Sequence, residues 1–193
     1  MVSALEAFAA AFALLFVIES VDRSQFIVIM LAGRVHHLPL LGACTLAFGI
    51  LAAFAVTLGA LVAGWVAAWV LGTITGLVLV GFGIHLLYES YHPHLERQRE
   101  RVRSAAGFWG AFGVLFVSEL ADESQLIMAG IAATSDHPVA TGIGGFLGLL
   151  GAAALGIFIG NKLVGRIPVR KVQRVAGLGM VFGGTLVALY ALF

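Results

Sequence analysis

The chain has 193 residues, 61% of them hydrophobic and only 11% charged, with a formal net charge of +1. Soluble domains carry about 25% charged residues, so a mean hydropathy of +1.04 excludes an ordinary soluble fold, and the near-zero net charge argues against a nucleic-acid partner. A single cysteine, Cys44, excludes an intramolecular disulfide and any CxxC redox pair.

A membrane span needs about 20 mostly apolar residues. Six segments qualify: 5–31, 40–62, 67–89, 107–131, 139–160 and 172–192. They are continuously apolar rather than alternating, which favours helices over a β-barrel. The expected fold is an all-α membrane protein of six transmembrane helices arranged as two inverted three-helix repeats. Residues 1–92 form the first repeat, 93–106 a basic connection and 107–193 the second repeat. The start of the chain, Met1-Val2-Ser3-Ala4-Leu5-Glu6, lacks a basic run and reads as an uncleaved first span, not a signal peptide.

Span one contains Phe16-Val17-Ile18-Glu19-Ser20-Val21-Asp22-Arg23-Ser24-Gln25. The connection after it carries Arg34 and the exposed-loop pair His36-His37. Trp65 and Trp69, near the second connection, read as interface-belt residues, as does Trp109 further on. His85, in span three, reads as a satisfied packing histidine. The middle connection holds His92 and His94, which read as idle loop histidines rather than metal gatherers, and Arg97, Arg99, Arg101 and Arg103, a topology anchor in contact with anionic lipid. Span four then repeats the pattern as Phe116-Val117-Ser118-Glu119-Leu120-Ala121-Asp122-Glu123-Ser124-Gln125. Lys162, Arg166, Arg170, Lys171 and Arg174 cluster around the last connection.

All these basic residues but Arg23 fall on one side of a six-span chain. The positive-inside rule makes that side cytoplasmic and puts both termini outside. Gly42 repeats as Gly142, Gly76-Leu77 as Gly177-Leu178, and Gly83 as Gly184. Three spans per half is an odd number, so the second half enters from the opposite face and the two motifs become symmetric about the midplane.

Both motif copies fit F-V-x-E-x-x-D-x-S-Q. On a continuous helix, Glu19, Asp22 and Gln25 share one sector, as do Glu119, Asp122 and Gln125. Facing each other, they offer four carboxylates and two amide oxygens, with Ser24 and Ser124 in support. Such an all-oxygen set suits a hard divalent cation. Each central charge costs roughly 2.5–3.5 kcal/mol to insert, so a structural ion-pair network is the weaker explanation: five acids face one Arg23. Close carboxylates in a dry site cannot all ionise. Cation and protons then compete for one cluster, which is the logic of an exchanger.

The doubled E-x-x-D-x-S-Q motif resembles the calcium/manganese–proton exchanger family, within the lysine-exporter-like superfamily. The resemblance implies a divalent cation–proton antiporter exporting manganese or calcium from the cytoplasm, with Glu19, Asp22, Glu119 and Asp122 at the metal and proton site and Gln25, Gln125, Ser24 and Ser124 as supporting ligands. No nucleophile–His pair or phosphate loop appears, so no enzyme active site and no resident cofactor are expected. The family pattern has a glycine where this chain has Val21 and Ala121, which argues against helix unwinding and backbone-carbonyl ligands there. Its basic position is Arg23 in one copy and Glu123 in the other, a pair expected to meet across the pseudo-axis as a gate or charge balance. Two rival functions use the same acids: export of small cationic organic solutes, and a non-transport scaffold. The lack of appended domains or long tails leads to the expectation of a bacterial inner membrane rather than an organelle. Oligomeric state is left open.

Overall fold

The structure, a computed structural model, describes residues 2–91, 102, 105, 107–120, 122–163 and 169–192. His92, His94, Arg97, Arg99, Arg101, Arg103 and Arg166 lie outside the described residues, as do the side chains of Arg23 and Lys162. The described chain is helical: α1 (Ala4–Val21), α2 (Arg23–Ala32), α3 (His37–Ala63), α4 (Ala68–Tyr91), α5 (Gly107–Glu119), α6 (Glu123–Thr134), α7 (Pro138–Leu163) and α8 (Val169–Leu192).

Five of these helices are long and apolar enough to cross a membrane: α1, α3, α4, α7 and α8. The difference from six expected spans has a local cause. The segments 5–31 and 107–131 are not continuous helices; each breaks at its motif, leaving α5 with only 13 residues. Asp22 ends α1 and starts α2 with φ −78° and ψ 168°. Asp122 starts α6 with φ −74° and ψ 165°. Extended φ/ψ at negative φ is open to any L-residue, so the break needs no glycine. The inference from Val21 and Ala121 against unwinding is therefore corrected. At Asp22 the side chain caps α2 by accepting from the Ser24 amide; Asp122 holds the same extended backbone without a side-chain cap bond.

Helix directions follow from which residues meet. α4 and α8 run antiparallel, and their glycines cross over: Gly76 lies against Gly184 and Gly83 against Gly177. These are the same glycines that the sequence repeat aligns, exchanged between halves. A Cβ at Gly76 would sit 2.6 Å from the Gly184 carbonyl oxygen, and one at Gly83 would sit 2.7 Å from that of Gly177. α1 runs alongside α7 in the same direction, with Phe12 against Gly148 and Phe16 against Gly151. α3 follows α5 and α6, with Gly42 against Phe108 and Gly59 against Ala129. The first–fifth and second–fourth segment pairs are thus equivalent, and the third–sixth pair maps onto itself.

Small residues allow such close packing, which drives association where lipid supplies no hydrophobic force. Gly76→Ala is expected to lower the melting temperature of the purified protein clearly, because backbone on the facing helix blocks the new methyl. Gly81 has nothing within 4 Å, so Gly81→Ala is expected to be neutral or to stabilise by about 0.5–1 kcal/mol through helix propensity. Equal responses at the two positions would contradict the packing. Trp65, Trp69 and Trp109 are exposed on the outer surface, as interface residues are.

Candidate metal and proton site

The two helix breaks adjoin. α2 touches α5 and α1 touches α6, which brings the motif copies together in the bundle interior. Glu19 and Glu119 are both 0% exposed; Asp22, Ser24, Gln25, Ser124 and Gln125 are also buried. The Glu119 carboxylate interacts electrostatically with Glu19, Asp22 and Asp122. Asp122 in turn feels Asp22 and Glu19 and hydrogen-bonds with Glu123. The acids of the two halves therefore form one electrostatic cluster.

The copies are held differently. In the first, Asp22 Oδ2 accepts from the Ser24 amide at 3.1 Å, and the Ser24 hydroxyl donates to Glu19 Oε1. Gln25 Nε2 donates to the Ala152 carbonyl on α7 at 2.8 Å. Gly156, one turn on, leaves room for this, since a Cβ there would lie 2.9 Å from Gln25 Nε2. In the second copy Asp122 makes no side-chain cap bond, and Ser124 Oγ and both amide atoms of Gln125 lack hydrogen-bond partners.

A break replaces the single helix sector expected to carry Glu19, Asp22 and Gln25. Among the described residues no three His, Cys, Asp or Glu side chains close into a metal-ligand group. In the first copy one oxygen of Glu19 and one of Asp22 are instead engaged by Ser24. The donor set still fits a hard cation. Glu19 Oε2, Asp22 Oδ1, Gln25 Oε1, both Glu119 oxygens, Ser124 Oγ and Gln125 Oε1 are buried without hydrogen-bond partners. Buried polar atoms are normally satisfied, so these seven orphan oxygens of the two motif copies are of the type that a hard cation takes as ligands.

Sequence reasoning missed two residues here. Cys44 on α3 is fully buried and close enough to Glu19 and Glu119 to feel both charges. Ala152 contributes only its carbonyl, for which a sequence carries no signal. His36 and His37 line an open surface hollow with Arg34 and Pro39, away from the acids, and His37 packs edge-on against Phe158 at 5.5 Å.

The model of the divalent cation/proton antiporter GDT1 family matches residues 7–94 and again residues 107–192. The chain belongs to this family. It is an integral membrane divalent cation/proton antiporter and a transporter, not an enzyme. No curated protein and no solved structure matches the chain. Each GDT1 match contains one motif copy, so the family repeat and the converging acids describe the same two halves. Gln25→Ala is expected to weaken cation binding about three- to tenfold, the worth of one neutral polar contact, and to lower the melting temperature through loss of its bond to the Ala152 carbonyl. Isothermal titration with manganese checks this, and unchanged affinity would remove Gln25 from the ligand set.

Proposed function

We propose that this GDT1-family antiporter exports manganese from the cytoplasm in exchange for protons, at one site shared by Glu19, Asp22, Gln25, Glu119, Asp122 and Gln125. Ser24 and Ser124 support the ligands. The observation that carries the reading is the meeting of both acidic motifs at paired helix breaks, with their oxygens unsatisfied. The chain crosses the membrane six times, α1–α2 and α5–α6 each acting as one broken span, and its halves are inverted repeats. The antiparallel α4–α8 pair with exchanged glycines supports this. Discontinuous helices at a repeat interface are a recurrent way to build transporter ion sites. Basic connections face the cytoplasm of a bacterial inner membrane, and both termini face out.

Exchange follows from shared ligands. Carboxylates must shed protons to bind a cation, and protons that return expel it. Cation affinity is therefore expected to rise with pH, by about tenfold per pH unit for each proton displaced. Arg23 and Glu123 balance charge at the gate; unchanged transport and pH dependence in Glu123→Gln would end that role.

The test is uptake into proteoliposomes with and without a pH gradient, using manganese, calcium and a cationic amino acid in turn. Gradient-driven uptake of manganese is the expected result. Preference for calcium would reassign the cargo, and uptake of the amino acid alone would overturn the metal reading.

A further inference from the structure

Two ionisable side chains on α4 belong to neither motif. His85 and Glu89 are one helical turn apart, with His85 Nε2 3.7 Å from Glu89 Oε1. Glu89 is 8% exposed and continues the inward stripe of Leu79, Phe82 and Leu86, all core residues. Its carboxyl therefore points into the bundle, not to lipid. His85 Nε2 is buried without a hydrogen-bond partner, which corrects the expectation of a satisfied packing histidine. At the shift that aligns Gly83 with Gly184, the second half has Leu186 and Tyr190 instead. The repeat fold thus does not require the pair. Ionisable groups inside a span are costly and seldom idle.

On α8, Arg174 reaches Ser90 Oγ at 3.4 Å and lies 4.3 Å over the Tyr91 ring, while Arg170 and Lys171 are exposed. On α6 the one charged residue is Glu123, at its first turn. α4 itself adds Tyr88 and Tyr91. α4 packs on both α8 and α6, and its last turn leads into the basic connection. The pair therefore lies on the core-facing stripe of α4, at the end of the helix that leads into the basic connection.

We propose that His85 and Glu89 form a proton relay between the acidic cluster and the basic face, separate from the cation ligands. The inference rests on the family's proton antiport. A proton released from the cluster binds His85 Nε2, giving the imidazolium. The imidazolium passes it to the Glu89 carboxylate, which releases it to water at the basic face. No net charge stays on the pair after each cycle. Cation binding uses neither residue.

His85→Gln and Glu89→Gln separate the two roles in proteoliposomes. Manganese uptake driven by a pH gradient needs the relay; exchange of labelled for unlabelled manganese at equal pH does not. Driven uptake is expected to fall at least tenfold in each variant, with exchange within twofold of the wild type, and Glu89→Asp is expected to restore driven uptake. Undiminished driven uptake in either variant, or parallel loss of uptake and exchange in both, overturns the relay. A wild-type protein that moves no manganese in either assay would instead refute the manganese reading.

Discussion

Glutamine at Glu19 or at Glu119 is expected to cut gradient-driven manganese uptake at least 30-fold, without loss of thermal stability. Both carboxyls are wholly buried, and three of their four oxygens lack a hydrogen-bond partner. Removing one charged partner from a buried interaction costs about 2–5 kcal/mol, and each 1.4 kcal/mol is about tenfold in affinity. Stability responds the other way. Burying unpaired charge is unfavourable for folding, so the neutral amide is expected to leave the melting temperature unchanged or higher. Uptake and melting measured on the same preparation decide the point. A variant that transports normally, or that fails only because it unfolds, would contradict a ligand role.

Asp22 and Asp122 are expected to respond unequally, although the motif aligns them. Asp22 both belongs to the acidic cluster and caps α2 through the Ser24 amide; Asp122 makes no such cap bond. Asp22→Asn keeps the cap but removes the charge, so transport is expected to fall at least 30-fold with stability retained. Asp22→Ala removes both, and is expected to lose about 1 kcal/mol of stability as well. At Asp122, where no helix cap is at stake and only the bond to Glu123 differs, the Asn and Ala variants are expected to be equally inactive and to differ less in stability than the Asp22 pair. Thermal melts of the four proteins provide the test, and a stability gap at Asp122 matching that at Asp22 would show the asymmetry to be wrong.

Much of this site was legible before any coordinates. A twice-written pattern of costly acids in apolar segments identifies both halves and the acids that meet between them, because insertion energetics make such residues expensive to keep. The glycines of α4 and α8 were legible as a repeat; their crossed pairing was not, since it depends on how the halves dock. The helix breaks were hidden by unbroken apolar composition, with neither glycine nor proline at 19–25 or 119–125. Asp followed by Ser two residues later was the available capping signal. Glu89 was also readable, as the one acid in span three and four residues beyond His85. Cys44 could not be read as a neighbour of both glutamates, because nothing in a lone cysteine's flanks places it beside residues 25 and 75 positions away.

Manganese binding to the purified protein, titrated by the loss of its free-ion paramagnetic resonance signal, tests most directly whether the two motifs form one site. One ion per chain is predicted, lost in Glu19→Gln and equally in Glu119→Gln. Two ions per chain in the wild type, with one retained in each variant, would mean that the halves bind independently and would contradict the shared site.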